Sequence, residues 1–273
     1  MVGASRQNKI VLITGASSGL GRAAGERLAD LGYTVFGTSR KPSDELSKVR
    51  MIPLDVTSDE SVENAIRQII TTAGRIDVLV NNAGSALCGA IEDTSMDEAH
   101  LQMETNFFGP ARMIRAVLPH MRRQGGGRII TISSMAGLTA LPFQAYYSAS
   151  KFALEGLNEA LRLELAGSNI ESTTICPGDF ATGFTASRKI ARGAYSHFHE
   201  QQLRRTLALY ERDEGLGADP RCVAKLIERL VTRPQVGVRY LAGHVTQRIG
   251  ITLKRILPAQ LYESILRRVY AIS

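Results

Sequence analysis

Apolar side chains cluster in short runs at 10–14, 33–37, 49–54, 76–80, 128–132 and 171–176, each rich in Val, Ile, Thr or Tyr. Between them, segments 22–31, 61–72, 101–123 and 147–165 repeat their apolar positions every three to four residues, the period of a helix packed on one side. Strands that are apolar almost throughout are buried on both faces. Their alternation with helices predicts an α/β fold: a doubly wound, Rossmann-like parallel sheet with helices on both faces, in one domain across 1–273. In such sheets a ligand sits beyond the carboxyl ends of the strands, where the strand order reverses. Chemistry-bearing motifs are therefore expected directly after strands.

Composition narrows the class. A chain of 273 residues buries enough surface to need no disulfide or metal staple. Cys88, Cys176 and Cys222 are far apart and form no CxxC pair, which fits a reducing compartment. Residues 1–8 are polar and the first apolar run is too short for a signal peptide. No stretch approaches the ~18–20 apolar residues of a membrane span. A soluble cytoplasmic protein is the expectation. The net charge of +7 leaves room for an anionic partner, but the basic residues lack aromatic interleaving, which argues against nucleic acid. A phosphate-rich cofactor accounts for part of the charge.

That cofactor has a candidate cradle. The first strand runs into Thr14-Gly15-Ala16-Ser17-Ser18-Gly19-Leu20-Gly21 and then a helix. Glycines allow a tight turn and close approach of a pyrophosphate, and the helix N-terminus offers free N–H groups to the anion. The GxxxGxG spacing also suits an ordinary strand-to-helix turn, so its context matters. NAD sites place an acid about 20 residues past the glycines, at the end of the second strand. Here the chain reads Gly37-Thr38-Ser39-Arg40-Lys41. A guanidinium at Arg40 suits a 2′-phosphate in charge and shape, with Ser17 and Ser39 as further donors, and NADP(H) is the predicted cofactor. Asp55-Val56 and Asn82-Ala83-Gly84 follow the third and fourth strands on the same rim. An aspartate after a strand is also a common turn former.

After the fifth strand come Ser133-Ser134, then Tyr147 and Lys151 at i and i+4 on one helical face. Hydride reduction of a carbonyl leaves an alkoxide that needs a proton. A tyrosine supplies it more readily when an ammonium within about 4–6 Å lowers its pKa by ~1–3 units. Tyr147 is thus the expected general acid in reduction and general base in oxidation, with Ser134 holding the substrate oxygen. A Tyr–Lys pair at this spacing is common on amphipathic helices; the case rests on its company.

Taken together, the TGxxxGxG turn, the NNAG segment 81–84, Asn106 in ETNFFGP, Ser134, the YxxxK pair and Pro177-Gly178 resemble the short-chain dehydrogenase/reductase family, over residues 10–182. The family's spacing selects Ser134 over Ser133 and Tyr147 over Tyr146. The resemblance implies that Asn106 completes a Ser–Tyr–Lys–Asn group by holding a water that links Lys151 to solvent. It implies that Lys151 bonds the nicotinamide ribose and that Asp55 and Val56 flank the adenine. Pro177, Gly178 and Thr182 would lie along the nicotinamide, and Arg115 near the cofactor. Within the family, the stretch 141–157 is similar to enzymes of steroid and retinoid alcohols and ketones, and homo-oligomers are common.

From about Phe184 to Gly217 the rhythm stops, with a helix-like segment at 199–211, as expected for a substrate-covering insertion. His197 and His199 make an HxH pair, but i and i+2 diverge on a helix and no third ligand is suitably spaced, so no metal is expected. Residues 248–273 form a basic amphipathic element that packs at the active-site mouth or on another subunit, with peripheral membrane contact as the other reading. The expected function is NADP(H)-dependent hydride transfer to a carbonyl, or from a secondary alcohol, of an apolar small molecule. The alternative is an NADP-binding sensor or scaffold without turnover.

Overall fold

The alternation of apolar side chains along each strand sends consecutive residues to opposite faces, and the helices divide accordingly. The computed structural model describes residues 9–42, 48–181, 188–195 and 198–272; Thr182, Phe184 and His197 lie outside them. The strands are β1 (Ile10–Ile13), β2 (Thr34–Ser39), β3 (Arg50–Pro53), β4 (Val78–Asn81), β5 (Leu87–Cys88), β6 (Gly127–Ile132), β7 (Ile170–Pro177), β8 (Lys189–Ile190) and β9 (Arg239–Ala242). Seven of them form one all-parallel sheet in the order β3-β2-β1-β4-β6-β7-β9, and β5 pairs with β8 beside it. The order reverses between β1 and β4. That is the switch point at which a ligand is expected.

The helices are α1 (Gly19–Asp30), α2 (Asp59–Ala73), α3 (Met96–Met103), α4 (Gly109–Arg123), α5 (Ala145–Glu164), α6 (Glu200–Gly215), α7 (Arg221–Thr232), α8 (Val245–Ile256) and α9 (Ala259–Val269). Val11, Ile13, Val80 and Ile130 pack against Leu28 of α1 and Ile227 and Leu230 of α7. Leu12, Leu79 and Ile129 pack instead against Ile69 of α2 and Met113 and Val117 of α4. Each fully buried side chain of this size contributes about 1.5–3 kcal/mol. These two apolar layers clamp the sheet and fix where its carboxyl ends point.

Two elements depart from the sequence expectation. The helix expected over 101–123 begins five residues earlier. Ser95 accepts from the Glu98 N–H while the Glu98 carboxylate accepts from the Ser95 N–H, a capping box that starts α3. The same stretch is then interrupted by a π turn at Glu104–Phe108. Pro110 has no N–H, so the regular bond that would end on the Asn106 carbonyl cannot form. The ninth strand was not expected at all. It is a short edge element, fastened by Arg239 to Glu155 at 2.9 Å and to Glu159 at 2.5 Å on α5.

Candidate active site

The glycine turn is held rather than loose. Gly15 sits at φ +65° and Gly19 at +55°, the left-handed region that glycine enters at no steric cost. A Cβ on Gly15 would lie 2.9 Å from the Ala83 Cα, and one on Gly21 would run into Asn82 Nδ2 and the Gly15 carbonyl oxygen. Asn82 donates from Nδ2 to the carbonyls of Thr14 and Gly15, both at 2.9 Å. The Thr14 hydroxyl accepts from the N–H groups of Asn82 and Ala83 at 2.9 and 3.0 Å. Asn82 and Ala83 therefore brace the turn across the switch point. Thr14, which sequence reasoning passed over, is their anchor. The N-terminus of α1 has no acid in its first turn and no side-chain cap, Ser17 and Ser18 are exposed, and Leu20 is half-buried beside Gly21. Such an end is suited to an anion.

At the end of β2, the Ser39 hydroxyl is buried without a hydrogen-bond partner, and Arg40 beside it is exposed. A buried orphan hydroxyl is unusual enough to point to a missing partner. Asp55 is committed locally. Its carboxylate accepts from the N–H and hydroxyl of Thr57 at 2.9 and 2.7 Å, and the Thr57 N–H above all holds it below the usual carboxylate range, with Arg40 adding a smaller pull. Val56 belongs to the core, pressed against Gly109.

The catalytic candidates converge at the ends of β6 and α5. Tyr147 is 8% exposed and packs with Ala86 and Ala136, and Ser134 hydrogen-bonds it. Ser134 is itself oriented by the Ala136 N–H at 3.0 Å. Lys151 lies with its Nζ 5.8 Å from the centre of the Tyr147 ring and donates to the Ile132 carbonyl at 2.9 Å. Asn106 is fully buried; its amide spans the Ser85 N–H and carbonyl at 2.9 Å each and reaches the Ser150 hydroxyl at 3.2 Å. Ser150 donates in turn to the Tyr147 carbonyl at 2.6 Å. A Cβ on Gly84 would lie 3.3 Å from Asn106 Oδ1, a tight contact that only a small shift of the amide would relieve. Both ends of the Asn106 amide are thus occupied, and the residue lies on the π turn. Such turns recur at functional sites.

The electrostatics correct one expectation. Lys151 does not bring Tyr147 down in this state. Burial pushes the phenol up to about 12, against the opposing hydrogen bond from Ser134. Burial likewise pushes the Lys151 ammonium down to about 8, with Cys176 and Glu155 opposing. Desolvation is the largest cause of both shifts, so the tyrosine is a phenol across the ordinary pH range.

The other expected residues are spread. Pro177 ends β7 and Gly178 donates to the Ala242 carbonyl at 2.8 Å, so both stand on the carboxyl rim. Arg115 is exposed on α4, one turn from Arg112, which takes the ion pair to Asp59 at 2.9 Å. Among the described residues no group of His, Cys, Asp or Glu is placed to hold a metal, and His199 sits 3.3 Å from Glu92. The C-terminal helices are tied to the segment that follows Ser134: Lys254 Nζ donates to the Leu138 carbonyl at 2.6 Å, and the Tyr262 hydroxyl meets that of Thr139 at 3.1 Å. One flank of α8 still exposes Val245, Ile249 and Ile256. No described helix is long and apolar enough to cross a membrane.

Comparison with known proteins bears on the family and the fold. Residues 9–192 match the family described as short chain dehydrogenase. A 3-ketodihydrosphingosine reductase from Bacteroides thetaiotaomicron is 44% identical over 97% of this chain and 99% of its own. Retinol dehydrogenase 8 from Bos taurus is 34% identical over 82% of this chain and 78% of its own. A short-chain dehydrogenase from Streptomyces avermitilis superposes with a TM-score of 0.77 at 32% identity, covering 95% of this chain and 98% of that one.

Proposed function

The chain belongs to the short-chain dehydrogenase family, an oxidoreductase fold that binds a nicotinamide cofactor, and from that premise we propose that it reduces the ketone of a long-chain sphingoid-type substrate with NADPH. The observation that carries the proposal is the buried Tyr147 phenol, hydrogen-bonded by Ser134 and 5.8 Å from the Lys151 ammonium. NADPH supplies the hydride. Ser134 holds the substrate oxygen, and Tyr147 donates its proton to that oxygen as charge develops there. The Lys151 ammonium steadies the phenolate left behind. Asn106 holds, at the carbonyl that Pro110 leaves without its regular partner, a water that returns a proton from solvent.

The choice of NADP(H) is supported by the lack of an acid after β2, by Arg40, and by the buried Ser39 hydroxyl that a 2′-phosphate would satisfy. The substrate class is supported by the reductase relative, whose similarity runs through the C-terminal helices as well as the sheet. The exposed apolar flank of α8, with Arg248 and Arg255 on the same helix, fits peripheral contact with a lipid surface. Oxidation of NADPH is followed against 3-ketodihydrosphingosine and a panel of aldehydes, steroids, retinoids and quinones. Consumption with the sphingoid ketone is expected; tight NADPH binding with no turnover anywhere would instead mark a sensor.

Two further outcomes follow from the same site. Arg40→Asp weakens NADPH binding by about tenfold or more while NADH binding falls less, the size of one charge-assisted contact; equal affinities before and after remove Arg40 from the cofactor site. The second concerns pH. The Lys151 charge is present below its depressed value of about 8 and lost above it, whereas Tyr147 at about 12 stays protonated. The kcat/KM for reduction therefore declines as pH rises past about 8, and Lys151→Met lowers the rate and flattens that limb. An alkaline limb that survives the substitution assigns it to another group.

A further inference from the structure

Beside the catalytic tyrosine lies a second polar group that hydride transfer does not use. Arg188 sits one residue before β8. That strand pairs with β5, and Lys189 donates to the carbonyl of Ala86 at 2.9 Å. Ala86 is the residue packed against Tyr147. The Arg188 side chain is 3% exposed. Its Nη2 pairs with Glu214, and its guanidinium lies 5.6 Å over the ring of Tyr210. Tyr210 is pinned in turn by donating to the Pro142 carbonyl at 2.9 Å, on the loop that leads into α5.

What sets Arg188 apart is what it leaves unmade. Its Nε and Nη1 are buried with no hydrogen-bond partner. A buried guanidinium with a purely architectural role is normally satisfied by carbonyls and carboxylates. Arg128 in this chain shows the contrast. It also has one bare nitrogen, but its other two reach Glu171 and the carbonyls of Leu230, Arg233 and Pro234. Arg188 makes one ion pair and keeps two donor nitrogens unspent, beside the ring of Tyr210, which belongs to an apolar cluster with Cys88, Leu203 and Leu207. Two donor nitrogens of a charged guanidinium, left without partners, ask for oxygen acceptors.

We propose that the Arg188–Glu214 pair is the head-group site for the substrate, Arg188 donating to an oxygen substituent close to the reacting ketone and Glu214 accepting from a neighbouring amino or hydroxyl group. The proposal rests on the sphingoid reading above and sharpens it. The enzyme takes a ketone flanked by a polar, donor-and-acceptor head, and the apolar tail runs elsewhere. An arrangement of opposite charges favours such a head over a hydrocarbon end, because an apolar end would leave Nε and Nη1 of Arg188 without acceptors.

The test is a selectivity ratio. The kcat/KM for 3-ketodihydrosphingosine is divided by that for octadecan-3-one, which keeps chain and ketone but lacks the amino and hydroxyl groups. The wild-type ratio is expected to be at least about tenfold, the value of one charge-assisted contact. In Arg188→Met it falls to near one; Arg188→Lys restores part of it, and Glu214→Gln lowers it. A merely architectural role lowers both rates together and leaves the ratio standing, which overturns the proposal, as does a wild-type ratio near one. Should the wild type reduce neither ketone, the sphingoid reading fails by itself. The head site is then judged by thermal shift of the NADP-bound protein with dihydrosphingosine against octadecan-3-ol. A difference lost in Arg188→Met supports it, and no difference in the wild type sinks it.

Discussion

Replacement of Tyr147 by phenylalanine cuts ketone reduction by about 10²- to 10⁴-fold, the usual contribution of a positioned general acid, and leaves NADPH affinity within about threefold. The reason lies in how the ring is held. Tyr147 packs among Ala86, Ala136 and Leu141, so phenylalanine fills the same space and the sheet ends do not move. Only the hydroxyl is lost, together with its hydrogen bond to Ser134. That hydroxyl is kept protonated by burial, so it is the proton that the substitution removes. Initial rates of NADPH oxidation, with a fluorescence titration of NADPH on the same preparations, separate the two effects. Retention of most of the rate on every accepted ketone would remove Tyr147 from the chemistry.

Gly21→Val has the larger effect on binding. The new side chain meets Asn82 Nδ2 and the Gly15 carbonyl oxygen, the two atoms of one of the hydrogen bonds that brace the turn. Either the turn moves off Asn82 or α1 shifts outward, and both carry the N–H groups away from where a pyrophosphate would lie. A loss of NADPH affinity of about 100-fold is expected, equivalent to two contacts of ~1.4 kcal/mol each. Circular dichroism keeps the test meaningful, since the two apolar layers lie below the turn. A folded Gly21→Val protein that binds NADPH within about threefold of wild type would place the phosphates elsewhere.

The sheet was legible because its strands are apolar on both faces and its helices are strongly periodic; six of the seven sheet strands and the four main helices can be read from those patterns alone. What escaped had weak or misread signals. The strand Arg239–Ala242 is short and half-buried, held by Arg239 to α5 through charges that carry no periodicity. The start of α3 was encoded in Ser95 and Glu98, a capping pattern that the apolar repeat does not contain. Chemistry was legible where spacing alone brings groups together, as for Tyr147 and Lys151. It was not legible for Thr14 or for Arg188, whose partners lie 68 and 26 residues away. The sense of the Tyr147 shift was misjudged for a related reason. Sequence shows which charges are neighbours but not how dry their surroundings are.

The two C-terminal helices have a consequence for traffic. In α8 only Ile251 is buried and in α9 only Tyr262, whereas α1 buries four residues, among them Ala24 and Leu28. The pair is thus attached beside the segments that follow Ser134 and Gly178 by polar links, those of Gln247, Lys254 and Tyr262. Segments with so little buried apolar area open at a fraction of the global unfolding free energy. On the sphingoid reading, this opening gives a hydrocarbon tail a way in from the side while the sheet stays closed. Amide hydrogen exchange should accordingly run ahead in 245–269 of that in 19–30; equal protection of the two would mean that the helices are bolted shut and that the tail must take another route.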